Sequence, residues 1–325
     1  MTSTPSFPSD AGARSRLAVV VPVYNEAQVL PELLRRLLAV CDAAPAYDWR
    51  LIFVNDGSRD QTADLIRERL AVEPRITLVE LSRNFGHQPA LAAGLDEARG
   101  ADATITMDAD LQDPPEVIPE LLARWREGAE VVLAVRRSRQ ETGVRRAGFD
   151  LFHAVFDRLA DFPIPKNTGT FGLLNRDALE AYSRLPERHR FFPGLRAWVG
   201  FATTEVFYDR QERAAGRPVQ TLIGLVRYAF DGLFSFSYLP LRVLTYFGVF
   251  AAGLGFAVGL FFAVRRMLDV EVAQMGFTTI VTLMVFIGGV QLIGIGILGE
   301  YLGRIYDEVK QRPLYVVKRR TSRNE

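Results

Sequence analysis

Two uncharged apolar runs near the carboxyl end constrain this chain more than any other feature. Residues 244–264 and 277–299 contain no Asp, Glu, Lys or Arg. About 20 apolar residues suffice for a hydrocarbon core ~30 Å thick, so each run is long enough to span a bilayer. Arg265 and Arg266 end the first run and Glu300 ends the second, with a short connection between. That spacing predicts a helical hairpin; a buried soluble hairpin is the competing reading. Both runs are rich in glycine, including Gly248, Gly253, Gly288, Gly289, Gly294 and Gly296. In a soluble helix these would be costly. In a membrane, small residues let helices pack closely and permit self-association into a homo-oligomer.

Basic residues orient the hairpin. The segment after it carries Arg304, Lys310, Arg312, Lys318, Arg319, Arg320 and Arg323, against Arg265 and Arg266 in the connection. The excess places the tail in the cytoplasm. A hairpin returns to its starting side, so everything before it is expected in the cytoplasm too. The predicted organisation is a flexible tail (1–15), a soluble domain (16–221), an interfacial segment (222–240), a transmembrane hairpin (241–303) and a basic tail (304–325). Residues 1–15 lack the apolar centre of a signal peptide. Phe230, Phe234, Phe236 and Tyr238 suit headgroup depth in the interfacial segment. Residues 142–162, with Arg145, Arg146, Phe149, Phe152 and Phe156, fit an amphipathic helix, packed either in a core or at the membrane interface.

The soluble part alternates strand and helix. Apolar runs at 17–23, 51–54, 76–81, 103–107 and 131–135 read as buried strands. Helical periodicity fills the gaps, with Asn25 as a cap for the first helix and Asp60 or Thr62 opening the second. This order predicts an α/β fold, a mostly parallel sheet with helices on both faces. The formal net charge is +1, which gives no reason to expect nucleic acid. The single cysteine, Cys41, excludes an internal disulfide and reads as a buried structural thiol.

Polar groups collect where these strands end: Tyr24 and Glu26, Asp56, Asp108 and Asp110, Arg136. In open α/β sheets ligands bind at the carboxyl edge. Asp108-Ala109-Asp110-Leu111-Gln112 is the centre of this pattern. Its alternating oxygen groups suit a hard divalent cation that shares its remaining positions with phosphate. An acidic strand-end turn, broken by Asp113-Pro114-Pro115, is the plainer reading. No G-x-G-x-x-G follows the first strand and no P-loop signature occurs anywhere, which disfavours a dinucleotide dehydrogenase and a P-loop NTPase.

Several pieces in order carry a resemblance. Val21-Pro-Val-Tyr-Asn-Glu26, Val54-Asn-Asp-Gly-Ser58, Leu81-Ser-Arg-Asn-Phe-Gly86, Met107-Asp-Ala-Asp-Leu-Gln-Asp-Pro-Pro-Glu116 and Leu298-Gly-Glu-Tyr-Leu-Gly-Arg-Ile-Tyr306 resemble family-2 glycosyltransferases. They are most similar to the polyprenyl-phosphate type, relatives of dolichyl-phosphate mannose synthase and of bacterial undecaprenyl-phosphate glucosyltransferases. The resemblance implies a GT-A-type domain with a DXD motif, anchored in the bacterial cytoplasmic membrane. It implies inverting transfer of a sugar, UDP-glucose being a favoured type of donor, to polyprenyl phosphate for cell-envelope glycan modification. By the same resemblance Pro22, Tyr24, Glu26, Val54, Asp56, Asp108 and Ala109 line the donor pocket. Asp110 and Gln112 take Mg²⁺ or Mn²⁺. Arg136 and Arg213 face phosphate, and with Asp108 and Asp110 form the catalytic set. Arg136, Arg145 and Arg146 meet the acceptor phosphate. The chain departs from the family pattern at Asn55, where Asp is frequent, and at Val219, where a lysine is usual nearby. It also has Gly169-Thr-Phe-Gly172 where Gly-Asp-Phe-Arg is common.

The chemistry fits these residues. A leaving nucleoside diphosphate gathers negative charge, which a cation and arginines stabilise. The attacking phosphate oxygen is already ionised, so His87, His153 and His189 need not act as bases. Two rival readings remain: a glycosyltransferase with an acceptor other than lipid phosphate, and a nucleotide-sugar-binding membrane scaffold without turnover. Asp110→Asn separates the scaffold from an enzyme.

Overall fold

Strand β1, Arg16–Val23, is buried on both faces from Leu17 onward, as an unbroken apolar run demands. It pairs in parallel with β2 (Asp48–Asn55) on one side and β4 (Ala103–Thr106) on the other. The computed structural model of the chain describes residues 14–137, 168–188, 190–209, 239–268 and 276–323. Around β1 the sheet reaches eight strands, in the order β7-β5-β6-β4-β1-β2-β3-β8. The others are β3 (Ile76–Leu81), β5 (Val131–Arg136), β6 (Thr168–Asn175), β7 (Thr203–Tyr208) and β8 (Val317–Ser322). Only β6 and β8 run against the rest, so the expected mostly parallel sheet is the one observed.

Helices cover both faces. Helix α1 (Leu30–Ala43) buries Leu30, Leu33, Leu34, Leu37 and Leu38, one stripe at helical spacing. With α2 (Thr62–Val72) and α4 (Ile118–Arg126) it closes the main core, which contains Val19, Val21, Leu51, Phe53, Ile105 and Leu173. Helix α3 (His87–Glu97) lies on β1 and β2 so closely that a Cβ on Gly94 would stand 2.2 Å from Val20 Cγ1 and 3.0 Å from Val54 Cγ2. Helices α5 (Arg176–Ser183) and α6 (Phe192–Trp198) follow β6. The side chain of Asn175 caps α5 by accepting from the Ala178 amide at 2.8 Å.

Three expectations change. Asn25 does not cap α1. Its φ is +56°, and its Oδ1 instead accepts from the Arg59 amide at 2.8 Å. Residues 317–322, expected within a tail, form β8 along the β3 edge. Its hydrogen bonds satisfy edge groups that would otherwise face solvent. The segment 142–162, expected in a core or at the membrane interface, and the segment 222–238, expected at the interface, lie outside the described residues.

The chain divides into two compact units, one built on the sheet and one on two long helices. The latter are α7 (Leu239–Met267) and α8 (Phe277–Val309). Among the described residues one stretch, Phe286–Val309, is long and apolar enough to cross a membrane; Val243–Val258 is apolar but shorter. That is one qualifying span where two were expected. Gly294 of α8 approaches Leu244 of α7, its would-be Cβ standing 3.1 Å from Cδ2. Gly248, Gly253, Gly288, Gly289 and Gly296 face open space, so close helix packing uses Gly294 rather than the glycines at large.

Candidate active site

The carboxyl ends of β1 and β2 are fastened to each other by short polar side chains. The Asn25 amide donates to Ser58 Oγ (3.0 Å), the Glu26 amide to Thr62 Oγ1 (2.9 Å) and the Ala27 amide to Asp60 Oδ2 (3.1 Å). Asp60 Oδ1 also accepts from the Thr62 amide at 3.1 Å. Gly57 lets this rim meet the loop after β3. Its φ is +69°, and a Cβ there would stand 2.6 Å from the Arg83 carbonyl carbon. Asp56 completes the joint. It is 3% exposed, and its two oxygens accept from the amides of Phe85 (2.7 Å) and Gly86 (2.9 Å). Burial raises its pKa while these amides oppose the rise.

The expected donor residues therefore differ in what they can offer. Pro22 pairs with Val54 across the two strands. Val54 is wholly buried and Ala109 nearly so, which leaves main-chain atoms for any contact. Tyr24 is 42% exposed at the rim. Asp56 is engaged with the backbone, so its first role is to hold the loop that carries His87.

Asp108 follows β4 and meets that loop. His87 Nε2 lies 2.9 Å from Asp108 Oδ1. Burial lowers the His87 pKa, but the hydrogen bond to Asp108 and the nearby Asp56 and Asp110 raise it on balance. Asp110 and Gln112 flank Leu111, whose φ is +61°. A leucine in that region is a rare, strained conformation; its side chain is 4% exposed, and burial holds it there. The Gln112 amide donates to Asp110 Oδ1 at 3.1 Å, closing the turn. The donor set here is all oxygen, carboxylate and carboxamide, which fits a hard cation. No cluster of three or more His, Cys, Asp or Glu has metal-binding geometry among the described residues. A cation held at Asp110 and Gln112 would draw its other ligands from phosphate and water.

The third element was half visible in the sequence: Arg136 was expected at the site, whereas Tyr208 and Asp113 were not. Arg136 ends β5 and pairs in register with Tyr208 at the end of β7. Arg136 Nε donates to Tyr208 Oη at 3.1 Å, and Tyr208 in turn donates to Asp113 Oδ1. Arg136 Nη2 stands 3.5 Å from the same carboxylate oxygen. Asp113, read in the sequence only as part of a turn, is fully buried. Burial raises its pKa, Asp108 and Asp110 add to the rise, and Arg136 opposes it. Burial and the Asp113 charge likewise raise the Tyr208 pKa, so the phenol keeps its proton for the carboxylate. Phe171 packs edge-on against the Tyr208 ring at 5.6 Å. The only signal in the sequence was an ionisable residue at the close of an apolar strand, and for β7 that strand is half exposed. Arg145, Arg146 and Arg213 lie outside the described residues.

Comparison with known proteins identifies the family. Residues 18–183 match the family described as Glycosyl transferase family 2. An uncharacterised glycosyltransferase of Synechocystis is 46% identical over 303 residues, covering 93% of this chain and 94% of that protein. A bactoprenol glucosyl transferase of Shigella phage SfII is 40% identical over 305 residues, covering 94% and 98%. Among solved structures, glucosyl-3-phosphoglycerate synthase from Mycobacterium tuberculosis, in complex with Mn²⁺, UDP and phosphoglyceric acid, is 21% identical. It covers 69% of this chain and 78% of that one, with a TM-score of 0.46.

Proposed function

Because this chain belongs to glycosyl transferase family 2, we propose that it moves a hexose from a UDP-sugar, of which UDP-glucose is the favoured example, to polyprenyl phosphate at a membrane. The observation that carries this reading is the end-to-end similarity to proteins named bactoprenol glucosyl transferase. It extends over the apolar helices as well as the sheet, so the likeness includes the part that would meet a lipid.

In the proposed step an oxygen of the lipid phosphate attacks the anomeric carbon. The bond from that carbon to the nucleoside diphosphate breaks, the diphosphate leaves with the electron pair, and the configuration inverts. Arg136, braced by Tyr208 and Asp113, presents fixed positive charge to phosphate and costs no reorganisation at the moment of reaction. Asp108, held by His87, lines the donor side. Asp110 and Gln112 would hold Mg²⁺ or Mn²⁺, which when bound supplies positive charge to the departing diphosphate. An ionised phosphate nucleophile needs no strong base, which suits a site whose one described histidine is joined to a carboxylate.

Connectivity limits how the chain could cross a membrane. Strands β1 to β7 precede α7 and α8, and β8 follows them, yet all belong to one sheet. The intervening chain must leave and return on the same side of any bilayer, as a hairpin does.

The test is sugar transfer to radiolabelled undecaprenyl phosphate in nanodiscs, with a panel of UDP- and GDP-sugars and either Mg²⁺ or Mn²⁺. A single productive donor, silenced by chelator, is the expected result. Nucleotide-sugar binding without transfer from any donor would reject the lipid-phosphate acceptor.

A further inference from the structure

Arg196 is a charged side chain with no acid paired to it among the described residues. It lies on α6 and is 3% exposed. Its Nη2 donates to the Gly169 carbonyl at 3.3 Å, and its guanidinium carbon stands 5.0 Å from the centre of the Phe192 ring. Nη1 is buried and has no hydrogen-bond partner among the described residues. Among the described residues it forms no ion pair. Burial pushes its pKa down to about 10, with Tyr182 opposing, so it remains a cation near neutral pH. A buried charge without a counter-ion is destabilising. Nothing in the packing of α6 demands a guanidinium there; a methionine would fill similar space.

The strand beneath it is shaped for two arginines. A Cβ on Gly172 would stand 3.1 Å from Arg196 Nη1 and 2.6 Å from the Val132 carbonyl oxygen. A Cβ on Gly169 would stand 2.9 Å from Arg136 Nη2. Each glycine thus seats one arginine. The register between β5 and β6 shifts in this stretch, Leu133 pairing with Gly172 and Val135 with Thr168. Such bulges re-aim the groups beside active sites. The space over Gly172 on β6 is filled by an arginine arriving from α6. Helix α6 is itself tied to the site, because the Phe192 amide donates to the Gln88 side chain at 3.1 Å, one residue beyond His87.

We propose that Arg196 is a positioning residue for sugar transfer. Its bond to the Gly169 carbonyl fixes the bulged strand against Arg136, and its unneutralised charge adds to the positive field in which the leaving diphosphate collects electrons. The role rests on the transfer reaction assigned above.

The full-length protein in nanodiscs tests it with Arg196→Met, Arg196→Lys, Arg136→Lys and the Arg196→Met/Arg136→Lys double variant. Melting temperature, kcat, both KM values and UDP affinity are measured on each. Arg196→Met is expected to melt no lower than the parent, to lose at least about 10-fold in kcat, and to bind UDP more weakly. Its acceptor KM should stay within about twofold, because the residue touches no lipid phosphate. Arg196→Lys, which keeps the charge, should recover part of the loss. The double variant should be little worse than Arg136→Lys alone, since both changes act through one group. Parental kcat and UDP affinity in Arg196→Met would overturn the role, as would losses that simply multiply. Equal losses in the Met and Lys variants with lowered melting would reduce Arg196 to a packing residue. UDP binding keeps this apart from the acceptor question. If the parent binds UDP but transfers to no lipid phosphate, weaker binding in Arg196→Met still supports the role and unchanged binding rejects it.

Discussion

At the scale of single residues, the site separates groups that would touch the reaction from groups that hold them. Asp110 belongs to the first kind. Exchange to Asn keeps its size and its contact with the Gln112 amide but removes the charge a cation requires. Turnover should fall by about 10²–10³, the loss typical of removing transition-state charge stabilisation. Initial rates at saturating donor, with and without chelator, check this; a variant within twofold of the parent would exclude a metal role for Asp110. Tyr208 belongs to the second kind. It accepts from Arg136 and donates to Asp113, whose other oxygen has no hydrogen-bond partner among the described residues. Tyr208→Phe leaves a buried carboxylate without its donor, so stability should drop by about 1–3 kcal/mol. Turnover should fall with it as Arg136 loses its brace. Denaturant unfolding beside a rate assay tests both, and a variant of parental stability would show that the phenol does not support Asp113.

At the scale of elements, small polar joints decide how strands and helices meet. Glu73 closes α2 and pairs with Arg75, which leads into β3 and also reaches Asp42 in the last turn of α1. The Arg75 hydrogen bond holds the Glu73 carboxyl below its ordinary value of 4.5, despite burial pulling the other way. A lowered folded pKa means that the unfolded chain binds the proton more readily. The stabilisation is therefore present above pH 4.5 and lost as pH falls through the folded value. Glu73→Gln should cost about 1 kcal/mol at pH 7 and progressively less as the pH falls below 4.5, read from paired unfolding curves; a gap that stays constant with pH would place its origin elsewhere than in this charge. What could be read from the sequence follows from the same physics. Strands β1 to β5 announce themselves because strands buried on both faces read as apolar runs. Strand β7 is half exposed and β8 is almost wholly exposed. The apolar face of β7 is only Val206 and Tyr208, too short to stand out, and residues 317–322 look like a basic tail until the β3 edge is there to receive them. The site divides likewise. Asp108 and Asp110 are visible because they close a buried strand. Tyr208 and Arg196 matter only through pairings between β5, β6 and β7 that no local pattern encodes. Asp56 was visible at the close of β2, but its bonds to the Phe85 and Gly86 amides were not, since those partners lie 29 and 30 positions away.

At the scale of the whole molecule, one sheet is closed by both ends of a chain that passes through two long apolar helices between them. This restricts the topology more tightly than hydropathy does. If the helices crossed a bilayer once, β8 would lie on the far side from β3, yet Val79 pairs with Arg320 and Leu78 with Thr321. The number of crossings is therefore even, and the hairpin reading predicts two. The chain's own thiol allows a clean test. Cys41 is buried, and burial pushes its pKa up to about 12, so it presents little thiolate to a labelling reagent. Single cysteines at Glu68, on α2, and at Arg319, on β8, both exposed in the fold, should react together with an impermeant maleimide on one side of sealed membrane vesicles. A cysteine at Gln274, in the connection between the helices, should react only on the other. Labelling of all three from one side would mean that the helices lie along the surface without crossing. Labelling of Glu68→Cys and Arg319→Cys from opposite sides would contradict the sheet itself, because antiparallel hydrogen bonds between β3 and β8 cannot form across a hydrocarbon layer.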